Sequence, residues 1–198
     1  LMVRGDNRVY LTASIGVAQA SIATATTAHD LINHAETAKS RAQELGTNRI
    51  VMYAEAMQEK VDRRLSLELD LHKALEERQL FLEYQPILDL RRGIVVGFEA
   101  LMRWRRADGT MVAPVEFIPI AEETGHISAM GRWALGEALN HLRGWIFDGQ
   151  CPPEATVSVN VSPRQLADPR VPTAVQEALE QSGMDARHLW LEITESVM

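Results

Sequence analysis

The hydrophobic and polar positions of the chain follow three successive patterns, and the first covers residues 1–53. A run of β-branched and apolar residues at 9–18 predicts a strand. Apolar residues recur at helical spacing through 28–46 and predict a helix, with Gly46 as its C-terminal stop. The apolar stretch at 49–53 predicts a second, short strand. A strand–helix–strand unit of this size is too small to bury a hydrophobic core of its own.

The second pattern, at residues 54–79, predicts one amphipathic helix. The stretch contains neither glycine nor proline and is rich in the helix formers Glu, Leu, Ala, Lys and Arg. Its apolar side chains form two adjacent i, i+4 rows, namely Val61, Leu65 and Leu69, and Leu67, Leu71 and Leu75. Such a helix either joins two domains or packs as an ordinary helix, and both interpretations are compatible with the pattern.

The third pattern, from residue 80 onward, consists of apolar strands separated by helices. The predicted strands are 80–90, 94–104, 155–162 and 188–196, and the predicted helices are 114–125, 127–146 and 171–183. The turn at 91–93 makes the first two strands a hairpin. The later alternation of strand and helix predicts parallel strands with right-handed crossovers, and therefore an α/β fold. In such folds ligands bind at the carboxyl ends of the strands.

Oxygen-bearing side chains occupy these strand ends. Glu99 lies in the strand at 94–104, Asn160 in the next strand, and Glu192 in the last, with Glu195 just beyond it. Carboxylates and a carboxamide, without thiols or clustered imidazoles, are typical ligands of Mg²⁺ or Mn²⁺. Each acid taken singly is equally compatible with an exposed strand end. Glu99 interrupts an apolar strand, so it either faces solvent or has a cationic partner.

Charge and composition narrow the classes of protein that remain. The chain has 198 residues and a net charge of −7, which argues against a general nucleic-acid binder. An anionic substrate would therefore need metal ions or a few arginines; Arg103 is a candidate, or it is a surface residue like Arg105 and Arg106. A single cysteine and the lack of a signal peptide or long apolar run favour the cytoplasm, while anchoring by upstream segments is left open.

Five sequence blocks between residues 66 and 198 resemble the EAL domain family. They read YQPILDL, FEALMRW, PVEFIPIAEETG, VSVNVSPRQL and LEITES, in this order. The resemblance covers about the first half of such a domain. It implies a partial TIM-like (β/α) barrel with one antiparallel strand, and hydrolysis of cyclic di-GMP to linear pGpG with Mg²⁺ or Mn²⁺.

The upstream blocks LTASIGVA and AETAKSRAQELGTNRIVMY are similar to the C-terminal end of a GGDEF domain, a family that makes cyclic di-GMP from two GTP. The resemblance implies the end of a GGDEF domain at 1–53, a helical linker at 54–65 and the first part of an EAL domain at 66–198. We therefore expect a fragment of a tandem protein, with any sensory domain upstream of it.

The EAL resemblance also implies roles for individual residues. Glu99, Asn160 and Glu192 match metal ligands, and Glu195 matches a glutamate that steadies a loop near the metal site. Arg103 matches the arginine on the substrate phosphate, and two further substrate contacts are implied for Gln85 and Leu101. The family's Asp-Asp pair, its lysine beside the attacking water and a later glutamate would lie beyond Met198.

These implications predict a metal-dependent cyclic di-GMP phosphodiesterase, with Glu99 and Glu195 in its catalytic machinery. We expect the complete protein to be active and these 198 residues alone to be inactive. Two alternatives stay open: a non-catalytic cyclic di-GMP receptor, and a bifunctional protein whose main output is the cyclase. The sequence also leaves open whether the protein forms a homodimer.

Overall fold

The computed structural model describes residues 2–4, 7–9, 12–20, 27–46 and 48–193. The chain divides into two compact units, Leu1–Leu65 and Ser66–Met198. Within the described residues, no helix is both long enough and apolar enough to cross a membrane.

The first unit contains two small pairs of strands and one helix. Its elements are β1 (Met2–Arg4), β2 (Asn7–Val9), β3 (Ile15–Val17), α1 (Ala28–Glu44) and β4 (Ile50–Met52). β1 and β2 are antiparallel, whereas β3 and β4 are parallel and α1 connects them. The expected strand–helix–strand order is therefore present. Gly16 in β3 is required for packing, because a Cβ there would lie 2.0 Å from the carbonyl oxygen of Ala35 in α1.

The strand predicted at 9–18 is too long. Residues 12–14 are not in a strand, and residues 10 and 11 lie outside the described part of the chain. The pairing of β3 with β4 covers only three register positions, from Ile15 opposite Ile50 to Val17 opposite Met52. A β-branched sequence predicts an extended backbone, but the length of the neighbouring strand determines how many of its residues form ladder hydrogen bonds.

Helix α2 (Glu55–Ala74) runs across the boundary between the units and ends five residues before the predicted end. The chain turns at 75–78, where Arg78 has a positive φ of 54°, and the amide of Gln79 donates to the carbonyl oxygen of Ala74 at 2.9 Å. The prediction of helix through residue 79 is wrong because this turn leads directly into the next strand.

The second unit is built around one mixed sheet. Its remaining elements are β5 (Leu80–Asp89), β6 (Ile94–Arg105), β7 (Met111–Val112), α3 (Pro114–Thr124), α4 (Ile127–Phe147), β8 (Thr156–Val161), α5 (Pro163–Leu166), α6 (Val171–Ser182) and β9 (Leu189–Ile193), which a 3₁₀ turn at Ala186–His188 precedes. The strand order is β5-β6-β8-β9, with the short β7 beside the end of β6. β5 and β6 form the predicted hairpin, and β6, β8 and β9 are parallel neighbours as predicted. The short elements β7 and α5 were not predicted.

The outer face of the sheet packs against helices and forms the core. Alternate residues of β6 and β8, such as Ala100, Val157 and Val159, lie buried against Leu139 and its neighbours in α4. A second cluster centres on Trp104, whose ring meets that of Phe117 edge-on with 5.7 Å between centroids. Because strand side chains alternate, the residues between these apolar ones are directed to the opposite face of the sheet.

Replacing Leu139 by alanine tests this core. Leu139 is fully buried, so we expect Leu139→Ala to lower the free energy of unfolding by about 2–5 kcal/mol. Leu90→Ala is the matched control, because Leu90 is 91% exposed and the same truncation there should cost less than about 0.5 kcal/mol. Urea titration of both variants gives the comparison, and equal effects would contradict the assignment of the core.

Candidate active site

The inner face of the sheet, opposite the helices, carries the polar residues that the sequence predicted. In the ladder Gln85 of β5 lies opposite Glu99 of β6, and Glu99 lies beside Ser158 of β8. Asn160 of β8 lies beside Glu192 of β9. Paired residues in a sheet share a face, so four strands contribute to one surface. Residues Gln85, Glu99, Leu101, Arg103, Asn160 and Glu192 therefore belong to the same face.

Glu99 makes a direct hydrogen bond across the parallel strands. The side-chain amide of Asn160 donates from Nδ2 to Oε1 of Glu99 at 2.9 Å, and both side chains are half-buried. An acid within an apolar strand is thus accommodated by an amide donor. The partner of Glu99 among the described residues is an amide, and the cation that the sequence indicated stays a prediction. A hydrogen bond to an ionised carboxylate is stronger than one between neutral groups.

Glu192 lies on the same face but is more exposed to solvent than Glu99 and Asn160. It is exposed, and no hydrogen bond or ion pair of its carboxylate is found among the residues that the structure describes. Glu195, the fourth predicted polar residue, lies outside the described residues. The structure thus brings Glu99 and Asn160 into contact and sets Glu192 next to Asn160 in register.

The donor set is suited to a hard divalent cation. Carboxylate and amide oxygens are the ligands that Mg²⁺ and Mn²⁺ prefer. Ser158, the register partner of Glu99, has a buried hydroxyl without a hydrogen-bond partner among the described residues. This hydroxyl is therefore a further polar group next to Glu99. Groups of three or more His, Cys, Asp or Glu suited to a metal are absent from the described residues. An ion held here would therefore use the amide oxygen of Asn160 and water besides the acids.

Arg103 lies on the same face, two residues beyond Leu101. Its Nε donates to Oε2 of Glu83 at 2.7 Å, and its Nη1 donates to the carbonyl oxygen of Met102 at 3.0 Å. Arg105 instead lies over the ring of Phe81, at 4.8 Å from its centroid.

Nη2 of Arg106 donates a hydrogen bond to the hydroxyl oxygen of Ser66 and forms a salt bridge with the carboxylate of Asp70, both in α2. The three neighbouring arginines thus have different environments, and Arg103 is the one closest to Glu99 along β6.

A buried glutamine fixes the turn that follows Asn160. Gln165 accepts from the backbone amide of Ser162 at 3.0 Å and donates to the carbonyl oxygen of Ile127 at 3.2 Å. Gly131 of α4 leaves space for it, because a Cβ there would lie 2.0 Å from Nε2 of Gln165. Gln165 was not among the predicted site residues, although Ser-Pro-Arg-Gln at 162–165 has the spacing of a capping box.

The comparisons with known proteins agree with this architecture. The EAL domain family matches residues 68–198, and the chain belongs to this family. The bifunctional diguanylate cyclase/cyclic di-GMP phosphodiesterase MucR of Pseudomonas aeruginosa is 35% identical over 190 residues, which cover 96% of this chain and 27% of MucR. The cyclic di-GMP phosphodiesterase PdeR of Escherichia coli is 34% identical over 194 residues, which cover 96% of this chain and 28% of PdeR.

A solved structure shares the fold. It is described as the PaMucR phosphodiesterase in complex with c-di-GMP, and it matches with a TM-score of 0.62 and 39% identity over 66% of this chain and 52% of that one. The chain thus spans about a quarter of the length of MucR and PdeR and about half of the solved domain.

Removal of the Gln165 side chain tests its structural role. Gln165→Ala leaves the amide of Ser162 and the carbonyl of Ile127 without their buried partner, so we expect a loss of about 1–3 kcal/mol in the free energy of unfolding. Gln176→Ala is the control, because Gln176 is exposed on α6 and its loss should change stability by less than about 0.5 kcal/mol. Urea titration measures both, and a neutral Gln165→Ala would show that the turn is held by other contacts.

Proposed function

We propose that this chain forms part of a phosphodiesterase that hydrolyses cyclic di-GMP to linear pGpG with Mg²⁺ or Mn²⁺. The observation that carries the proposal is the parallel register of β6, β8 and β9, which assembles Glu99, Asn160 and Glu192 on one face. The names of MucR and PdeR, and the c-di-GMP in the related solved structure, support the choice of substrate.

The metal would be held by Glu99, Asn160 and Glu192. When bound, a divalent ion lowers the pKa of a coordinated water and offsets charge on the phosphate. The amide of Asn160 orients the carboxylate of Glu99 through its hydrogen bond to Oε1. The other oxygen, Oε2, would then be left for the metal. Glu195 would steady a loop near the metal site.

The substrate would lie along the remainder of the inner face. Arg103 would donate to a non-bridging phosphate oxygen, which is the charge-assisted contact that a guanidinium makes best. Gln85 and Leu101, on either side of the β5–β6 pairing, would contact the ligand. The metal and the guanidinium of Arg103 would allow a chain of net charge −7 to bind a dianion.

We further propose that residues 1–53 are the C-terminal part of a GGDEF domain, 54–65 a helical linker and 66–198 the N-terminal part of the EAL domain. The parallel β3–α1–β4 unit supports this, as does the match with MucR over 96% of the chain. We also propose a cytoplasmic location for this part of the protein, in keeping with the single cysteine, with anchoring by upstream segments left open.

Turnover by the complete natural protein tests the function. We expect conversion of cyclic di-GMP to pGpG in the presence of Mg²⁺ or Mn²⁺, and none after chelation. Glu99→Gln should reduce kcat at least about a hundredfold, since metal assistance is worth several kcal/mol. Glu177→Gln, which makes the same change on exposed α6, should leave it unchanged. Chromatography of the products gives the readout. Binding without cleavage in the metal-supplied protein would favour the receptor alternative.

Ligand affinity tests the separate roles of Arg103 and Glu99. A charge-assisted hydrogen bond contributes about 1.5–3 kcal/mol, so Arg103→Ala should weaken cyclic di-GMP binding roughly tenfold to a hundredfold. Glu99→Ala should instead weaken metal binding more than ligand binding. Arg92→Ala, at the exposed hairpin turn, is the control and should leave both unchanged. Calorimetry measures each affinity, and an unchanged affinity in Arg103→Ala would remove Arg103 from the site.

A further inference from the structure

The salt bridge between Arg103 and Glu83 is a diagonal contact across the β5–β6 hairpin. Glu83 lies opposite Leu101 in the ladder, and Arg103 is the next residue of β6 on that face. The Nε of Arg103 lies 2.7 Å from Oε2 of Glu83, and the two side chains are 24% and 55% exposed. Diagonal neighbours on one face of a hairpin are within reach of long side chains. The contact therefore follows from the register of the hairpin.

The contacts of Arg103 leave three of its guanidinium hydrogens without a partner among the described residues. The group carries five N–H donors. Within the described residues two are used, the Nε–H on Glu83 and one Nη1–H on the carbonyl oxygen of Met102. The remaining hydrogens are one on Nη1 and two on Nη2. These hydrogens can donate to phosphate oxygens.

We propose that Glu83 is a positioning residue for Arg103, a role that rests on the proposed function. Its carboxylate holds the Nε–H of the guanidinium, so the remaining Nη1 and Nη2 hydrogens are oriented before a phosphate arrives. An arginine that is held in advance loses less conformational freedom on binding. The cost of ordering one long side chain corresponds to a change in affinity of about threefold to tenfold.

Two uncharged variants of Glu83 separate the hydrogen bond from the charge. Glu83→Gln and Glu83→Ala remove the same negative charge, but only the glutamine keeps an oxygen that accepts from Nε–H. In the complete natural protein, we expect Glu83→Ala to bind cyclic di-GMP about threefold to tenfold more weakly than Glu83→Gln, as measured by calorimetry. The kcat values of the two variants should agree within about twofold, because Glu83 acts on binding and not on the reacting atoms.

Two controls connect the effect to Arg103. In an Arg103→Ala background the difference between the two Glu83 variants should disappear, since no guanidinium is left to position. The pair Glu177→Gln and Glu177→Ala, on the exposed surface of α6, should show equal affinities. Equal affinities of the two Glu83 variants, tighter binding by the alanine variant, or a difference that persists without Arg103 would each overturn the proposal.

Crystal structures without ligand distinguish this proposal from the proposed function. Arg103 should keep its orientation in the natural protein and in Glu83→Gln, and lose it in Glu83→Ala. If the natural protein fails to bind cyclic di-GMP, the proposed function is wrong, and the orientation of Arg103 in Glu83→Ala still decides whether Glu83 holds it. An unchanged orientation in Glu83→Ala would overturn the positioning role.

Discussion

The parallel register of β6, β8 and β9 is the constraint on which the rest of the candidate site depends. A strand that slips by one residue moves every side chain to the other face, because side chains alternate along it. Such a slip would turn Glu99 toward the helices and bring an apolar residue to the inner face. The hydrogen bond between Asn160 and Glu99 joins side chains 61 residues apart, and it exists only in the observed register.

Packing on both sides of the sheet fixes this register. Gly97 of β6 lies opposite Thr156 of β8, and a Cβ on Gly97 would lie 2.6 Å from the Thr156 hydroxyl oxygen. At position 97 a larger residue would therefore require Thr156 or the strand to shift. On the outer face, the buried Val157 and Val159 pack against α4, so a slip would also expose valine and bury polar groups. The glycine and the apolar face favour the same alignment.

The sequence predicted the elements whose limits are set locally, and it failed where a distant partner sets them. Helix α3 begins at Pro114 and ends before Gly125, which has a φ of 80°, as the sequence indicated. The length of β3 depends on how many of its residues pair with β4, and the local sequence pattern does not show this number. The same holds for the site. Oxygen donors at strand ends were visible in the sequence, but the partners of Glu99 and Arg103 depend on the alignment of neighbouring strands.

The charges on the inner face connect metal binding to ligand binding in the proposed function. Glu83, Glu99 and Glu192 bring three carboxylates to this face, and the Nε–H of Arg103 is already paired with the first of them. A dianion that approached these carboxylates alone would be repelled, because like charges at close range repel each other. A divalent cation held by Glu99, Asn160 and Glu192 would add positive charge to this face. The acids that make the face unfavourable for a phosphate are therefore the same groups that would make its binding depend on metal.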